Sequence, residues 1–220
     1  MQSVALLVRG LSALFWGLPL ALVLSVQAGT SSWFRALGPV GLLGPVGAYG
    51  LLLYAVWLLG SFQKQERIWI AAVDRLRILA MTNLGLAPFL YWHRRFPEIA
   101  LFASSIVFLA VFSILFLLAV NAALRRLVAM LPDETLRVET AVFTTLNGVV
   151  LLLLPSLVVA NLVIRRLRDL PEFLRYALEM SGPLQYWLLL FMILLPVAIT
   201  MSLLWKTKEA ILTSVFNDLR

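Results

Sequence analysis

The sequence contains no cysteine and has few charged residues. Without cysteine, this chain has no disulfide, thiolate metal site, thiol nucleophile or palmitoylation site. Charged residues make up 13% of its 220 residues and hydrophobic residues 62%, whereas soluble domains average about 25% charged. The mean hydropathy is +0.95. A chain with this composition has more apolar surface than a soluble domain can bury. We therefore predict that it lies in a membrane.

Acidic residues are absent from the four longest apolar stretches. These stretches are Leu11–Phe62, Ile99–Leu124, Ala141–Ile164 and Leu184–Leu204. A membrane-crossing helix needs about 20 mostly apolar residues, and the first stretch is long enough for two. Continuous apolar runs predict helices, because strands of a membrane barrel would alternate apolar and polar residues. We therefore predict an all-α, polytopic membrane helical bundle with five crossings, a single integral membrane domain over residues 1–220.

The segment between the first two stretches decides between five and six crossings. Over residues 63–82, apolar side chains share one helical face and charged side chains the other, as in a helix lying in the membrane plane. A crossing over Leu76–Trp92 would be short, would contain Arg77, and would be interrupted by Asn83 and Pro88. We expect five crossings plus an interfacial amphipathic helix, with six crossings as the alternative.

Residues 1–28 allow two interpretations. Leu11–Ser25 resembles the apolar core of a signal peptide, and residues 26–28 resemble a cleavage site. Only Arg9 is basic before this core, which favours a retained first helix. At the other end of the chain, Lys206–Arg220 is predicted to be a charged tail.

Basic residues exceed acidic ones, giving a net charge of +7. Most of them lie near the ends of apolar runs, where positive charge sets orientation and meets anionic headgroups. We therefore expect no nucleic-acid partner. The five-crossing and six-crossing arrangements both put more basic residues on the side of the N-terminus, which predicts a cytoplasmic N-terminus. The composition is compatible with the inner (plasma) membrane of a bacterium.

Glycine recurs at every third position in the second predicted helix. The residues are Gly38, Gly41, Gly44, Gly47 and Gly50. On a helix this spacing forms an oblique groove without side chains, which lets another helix approach closely. Pro45 lies within the groove and predicts a kink. We interpret the groove as a helix-packing surface, with a gate or hinge as the alternative.

Arginines form a second candidate site. They are Arg94, Arg95, Arg165, Arg166 and Arg168. Both arrangements put Arg94 and Arg165 on one side of the membrane, opposite Arg125. Together these side chains would suit an anionic lipid headgroup or an acidic loop of a partner, each contributing about 1 kcal/mol. The alternative is that they only set orientation.

Amides and hydroxyls inside the apolar stretches form a third candidate site. Its proposed members are Asn121, Thr144, Asn147 and Asn161, and Ser113 is a further hydroxyl within a stretch. They could line a path for a polar solute. Hydrogen bonds between helices are the commoner use of such residues, at about 0.6 kcal/mol each, and we favour that interpretation.

The sequence predicts no catalytic, cofactor or metal site. His93 is the only histidine, so haem ligation by two histidines of one chain is impossible, and zinc-protease and phosphate-loop signatures are absent. The apolar stretches contain no carboxylate, which argues against a proton relay. Enzymatic activity is therefore not expected.

Two functional hypotheses remain. The first is a non-catalytic accessory or scaffold subunit of a membrane complex, in contact with the bilayer and with other membrane proteins or a second copy. The alternative is a small transporter, channel or lipid-handling protein. Polar residues that pair across packed helices would favour the first hypothesis, whereas polar residues around a cavity would favour the second.

Overall fold

The computed structural model describes residues 2–31, 37–63, 65–166 and 182–217, and it contains no strand within these ranges. The helices found there are α1 (Gln2–Thr30), a 3₁₀ helix (Gly38–Leu42), α2 (Leu43–Leu59), α3 (Arg67–Leu86), α4 (Pro88–Arg95), α5 (Ala100–Ala129), α6 (Glu134–Arg166) and α7 (Gly182–Asn217).

Five helices of the described ranges are long and apolar enough to cross a membrane. They are Ser3–Thr30, Gly38–Leu59, Ala100–Ala129, Glu134–Leu157 and Leu190–Ser214. The prediction of an all-α membrane helical bundle is therefore confirmed. Each corresponds to one of the apolar runs found in the sequence, and the first run contributes two.

Helices α1 and α2 form a closely packed antiparallel pair. A Cβ atom at Gly10 would lie 3.1 Å from the backbone oxygen of Ala55, and one at Gly17 would lie 2.8 Å from Leu52 Cδ2. Small residues at these two positions let the helices approach, since packing rather than the hydrophobic effect joins helices in lipid. We call the end of the bundle that holds Gln2 the near end and the end that holds Thr30 the far end.

Helices α3 and α4 run along α5 in the antiparallel direction. Trp69, near the start of α3, lies with Leu127 around a small apolar gap. Asn83 lies further along, where its Nδ2 donates to the backbone oxygen of Phe112 at 3.4 Å. Residues 67–95 thus pass from the near end to the far end beside a helix that is long enough to cross a membrane.

The end of α4 is joined to the end of α1. Arg94 Nη1 donates a hydrogen bond to the backbone oxygen of Gly29, one of the last carbonyls of α1, which have no partner within their own helix. α4 therefore ends at the far end of the bundle.

Helix α3 is amphipathic, and its apolar face packs against other helices of the bundle. Trp69, Val73, Leu76 and Ala80 are buried, and the helix contacts both α2 and α5. Arg77 lies over the ring of Trp57 of α2, 5.0 Å from its centroid. Most of the apolar face that the sequence predicted thus packs against protein, although Ile68 is 56% exposed.

Helix α6 begins at Glu134 because Asp133 caps it. Asp133 Oδ1 accepts from the backbone N–H of Leu136 at 3.0 Å and from the hydroxyl of Thr135 at 2.6 Å, which satisfies an N-terminal donor of the helix. These hydrogen bonds, the backbone one foremost, lower the pKa of the Asp133 carboxyl below its ordinary value of 3.8.

Helix α7 is longer than the sequence predicted. The sequence predicted a charged tail from Lys206 onward. The helix instead continues through this segment to Asn217. Thr207 and Ile211 extend the buried face of the crossing, and Lys206 forms an ion pair with Glu139 of α6. These contacts hold the charged segment in helical form.

Candidate functional site

Two of the predicted intramembrane amides meet at a residue that the prediction did not include. Asn121 of α5 and Asn147 of α6 each donate from Nδ2 to Thr200 Oγ1 of α7, both at 2.9 Å. Thr200 in turn donates to the backbone oxygen of Pro196 at 2.8 Å. All three polar side chains are at most 2% exposed. We call Asn121, Asn147 and Thr200 the amide cluster, and it joins three helices.

Of the other two predicted members, Thr144 does not join these bonds, and the side chain of Asn161 is not described. Thr144 lies about one turn before Asn147 on α6, and its buried hydroxyl has no hydrogen-bond partner. The backbone at Asn161 lies about four turns beyond Asn147 on α6, and its side chain is outside the described part of the structure. Of the four predicted residues, the structure therefore brings Asn121 and Asn147 together at Thr200.

Three of the five residues of the predicted glycine groove have no close neighbour among the described residues. A Cβ atom added at Gly38, Gly47 or Gly50 would have no atom within 4 Å, and Gly38 has a φ of +56°. Gly41, in contrast, is buried. Pro45 lies in the first turn of α2, just after the change from 3₁₀ to α winding between residues 42 and 43, and the kink stays a prediction. Contact of the groove, including Gly44, with another chain stays a prediction.

The predicted arginine site is only partly described. Arg94 is bonded to α1, as given above, whereas Arg95 is exposed, with Nη1 3.4 Å from the hydroxyl of Tyr91. The backbone of Arg165 and Arg166 lies at the end of α6, which also reaches the far end of the bundle. Their side chains, and all of Arg168, lie outside the described part, so binding of an anionic lipid stays a prediction.

The structure contains a cavity that the sequence did not predict. Its volume is about 350 Å³, within the range of about 300–1,000 Å³ typical of small-molecule sites. Apolar side chains from six helices form most of its wall, for example Leu22 of α1, Leu109 of α5, Leu151 of α6 and Val197 of α7. The cavity spans Ile106 to Leu117 on α5, which is about 16 Å along the helix axis.

Four neutral polar groups from four helices line this cavity. They are Ser25 of α1, Tyr49 of α2, Asn83 of α3 and Ser113 of α5. Ser25 Oγ lies 3.2 Å from Tyr49 Oη, and Tyr49 Oη lies 3.4 Å from Ser113 Oγ. Ser113 Oγ donates to Asn83 Oδ1 at 3.5 Å. We call these residues the hydroxyl cluster.

The contacts of the hydroxyl cluster are long. Hydrogen bonds between two oxygens are usually 2.5–3.0 Å, whereas the three contacts of this cluster are 3.2 to 3.5 Å. Tyr49 and Asn83 are nevertheless buried, at 6% and 1% exposure. The cluster therefore retains hydrogen-bonding capacity that a bound molecule could use. Among the described residues, no acidic, basic or histidine side chain lines the cavity.

Sequence reasoning missed this site because its residues come from separate helices. Ser25 and Tyr49 are 24 residues apart, and Tyr49 and Ser113 are 64 apart, so no motif spacing relates them. Asn83 was interpreted only as an interruption of a helix. The one available signal was the position of Asn83 in the segment that decides between five and six crossings.

Comparison with known proteins adds no relative, since no family model, no curated protein and no solved structure matches this chain. Function is therefore argued from the geometry of the cavity and of the two polar clusters.

Proposed function

We propose that this protein is a membrane-embedded, lipid-handling protein that binds an apolar small molecule in the cavity between its helices. The observation that carries the proposal is the cavity of about 350 Å³, with a mostly apolar wall and a few convergent polar groups. Ligand sites in proteins have this composition, in which apolar walls supply contact area and polar groups fix orientation.

The amide cluster does not support a path for polar solutes. Its two amides are used between packed helices, and Thr200 accepts from both while donating to Pro196. This is the use that stabilises helix contacts in membranes. The alternative hypothesis is therefore supported as a lipid-handling function, and its support is the cavity beside the hydroxyl cluster.

Photolabelling tests the proposed function. Protein in phosphatidylcholine vesicles is labelled with dodecane carrying a diazirine, and labelled peptides are identified by mass spectrometry. Ala21 lines the cavity, so Ala21→Phe should fill it and reduce labelling of the peptide around Leu109 by at least about fivefold. The matched control is Ala5→Phe on the exposed face of α1, which should leave this labelling unchanged.

Two results would contradict this function. One is labelling confined to lipid-facing positions such as Val107. The other is cavity labelling that Ala21→Phe and Ala5→Phe change equally, because such labelling would not depend on the space beside Ala21.

A second candidate function is an accessory or scaffold subunit, and the outer face of α2 favours it. Gly47 and Gly50 leave a notch with no neighbouring atom. Leu43, Tyr54 and Trp57 flank it on the same face, each more than half exposed. A partner helix or a second copy could approach this notch closely, as small residues allow in membranes.

Copurification in mild detergent tests the second candidate. Gly47→Leu should weaken association with a partner chain or a second copy while leaving the isolated chain folded. Gly85→Leu is the control, because Gly85 of α3 also has no neighbour within 4 Å but lies outside the notch. Unchanged assembly in Gly47→Leu would exclude a packing role for the notch.

We also propose that residues 67–95 form a sixth crossing and that the near end is cytoplasmic, in the inner membrane of a bacterium. In the described ranges, nine basic residues lie toward the near end and four toward the far end, which supports this orientation by the positive-inside rule. Arg77 lies within α3, where it can extend toward the near end.

The absence of native cysteine makes the orientation simple to test. Single cysteines at Gln65 and Phe96, both exposed positions, are treated in intact cells with a membrane-impermeant maleimide. A sixth crossing predicts labelling of Phe96→Cys but not of Gln65→Cys. Equal labelling of the two would instead support five crossings with α3 and α4 on one side of the membrane.

A further inference from the structure

We infer that the cavity takes a neutral, largely apolar molecule with a single hydroxyl or carbonyl oxygen, held against Tyr49 and Asn83. This inference rests on the proposed binding function and specifies the chemistry of its ligand. A long-chain alcohol is the simplest molecule of this class.

The lining excludes a charged headgroup. None of the described side chains that line the cavity is Asp, Glu, Lys, Arg or His. A charge inside the bundle would have no counter-charge on this wall, and burying an unpaired charge costs several kcal/mol. Phospholipids and ionised fatty acids are therefore poor candidates compared with an uncharged molecule of the same chain length.

The polar groups are confined to one side of the cavity. Tyr49, Asn83 and Ser113 form a single connected patch through contacts of 3.4 and 3.5 Å. The residues that α6 and α7 contribute to the lining are Leu151, Leu154, Ile193 and Val197, all of them apolar. A ligand with several polar groups would leave some of them unpaired against this apolar wall, which is unfavourable. One small polar group fits the patch.

The patch can both donate to and accept from that group. The Asn83 side chain has two N–H donors, and one of them goes to the backbone oxygen of Phe112 at 3.4 Å. The Tyr49 hydroxyl can also donate or accept, and its contacts in the hydroxyl cluster are long enough to be exchanged. A ligand oxygen could therefore form shorter hydrogen bonds with this patch than the contacts it has now.

The test is displacement of the diazirine-bearing dodecane by three molecules of equal chain length. Dodecan-1-ol, dodecane and dodecyl phosphate are titrated against protein in phosphatidylcholine vesicles, with their vesicle concentrations measured. Dodecan-1-ol should displace the label at a concentration about tenfold lower than either of the others, since one hydrogen bond is worth up to about a factor of ten. Tyr49→Phe and Asn83→Leu should each reduce that preference.

The matched control is Tyr54→Phe, which removes a hydroxyl from an exposed position of the same helix. It should retain the full preference for the alcohol. Because Tyr49→Phe keeps the aromatic ring, loss of preference in that variant is not caused by an emptied core. Circular dichroism of each variant confirms that the helices are intact.

The outcomes distinguish the chemistry of the ligand from the existence of the binding site. Equal displacement by all three molecules, or an alcohol preference that survives both Tyr49→Phe and Asn83→Leu, would overturn the inference while leaving a general apolar site. A stronger effect of dodecyl phosphate would overturn the exclusion of charge. If the cavity peptides take up no label at all, the binding function itself fails, and the identity of the ligand group is no longer the question.

Discussion

The two polar clusters of this protein are both buried among apolar helices, but their hydrogen bonds differ in length. In the amide cluster, Thr200 receives two N–H groups at 2.9 Å and donates its own at 2.8 Å. In the hydroxyl cluster, the contacts range from 3.2 to 3.5 Å, and a cavity lies beside them. Burial therefore does not by itself distinguish a structural group from a binding group.

The clusters differ in the length of the bonds that join their helices. In the amide cluster these bonds are short and meet at Thr200, although Oδ1 of Asn121 and Oδ1 of Asn147 have no hydrogen-bond partner among the described residues. Long contacts beside a cavity leave donors and acceptors that can change partners. The comparison predicts that substitutions in the amide cluster alter stability, whereas substitutions in the hydroxyl cluster alter binding.

The largest effect on stability is expected from Thr200→Val. Valine keeps the shape but removes three hydrogen bonds, so the free energy of unfolding should fall by about 2 kcal/mol, at about 0.6 kcal/mol for each bond. The measurement is reversible unfolding in mixed micelles of sodium dodecyl sulfate and a mild detergent. Thr145→Val is the control, because this exposed hydroxyl bonds only to a carbonyl of its own helix. Equal effects of the two substitutions would remove the distinction between the clusters.

A direct comparison of two asparagines gives an intermediate effect. Asn121→Leu removes bonds of 2.8 and 2.9 Å, whereas Asn83→Leu removes contacts of 3.4 and 3.5 Å. We expect Asn121→Leu to lower the free energy of unfolding by about 1 kcal/mol more than Asn83→Leu does. The same unfolding assay measures this difference. A larger loss in Asn83→Leu than in Asn121→Leu would show that hydrogen-bond length does not indicate which asparagine stabilises the fold.

Tyr49→Phe should have a smaller effect on stability. The phenol takes part in contacts of 3.2 and 3.4 Å, so the free energy of unfolding should change by less than about 0.5 kcal/mol. A loss as large as that of Thr200→Val would mean that the hydroxyl cluster is structural. Unfolding of Tyr54→Phe provides the baseline for removing a phenolic hydroxyl.

The smallest effect is expected from acidification, and it should arise outside both clusters. The folded pKa of Asp133 is lowered below 3.8, so the cap contributes stability above that pH and loses it as the pH falls through the folded pKa. Asp133→Asn keeps a capping side chain that does not titrate, and should remove this part of the pH dependence. Circular dichroism from pH 6 to pH 2 measures it, and an unchanged acid transition in Asp133→Asn would contradict the assignment.

Hydropathy was sufficient to predict the crossing helices, because lipid demands about 20 apolar residues in each. It leaves open residues 67–95, whose crossing stays a proposal. Their first half includes Asp74, Arg75 and Arg77, which lowers the average, although this half lies toward the near end of the bundle. A sequence average cannot tell charge at the end of a helix from charge at its centre when the position of the helix is unknown.

The glycines show a second limit of sequence reasoning. Glycine recurs at every third position of α2, yet Gly47 and Gly50 have no neighbouring atom within 4 Å among the described residues. The close contact with α2 uses Gly10 and Gly17, whose spacing of seven returns to the same helical face after two turns. A spacing of three instead drifts around the helix, so a repeated residue does not remain on one contact face.

Pro196 lies beside both the amide cluster and the cavity, because its backbone oxygen accepts from Asn147 and Thr200 and its neighbour Val197 lines the cavity. Proline has no N–H, so the carbonyl one turn earlier, at Met192, lacks its usual partner within the helix. Bending is therefore easiest at that turn, and Ile193, which lines the cavity, lies within it. The cavity could widen there if the far-end portion of α7 bends. The hydrogen bonds of Thr200, which follows Pro196 in the chain, would be kept during this bending.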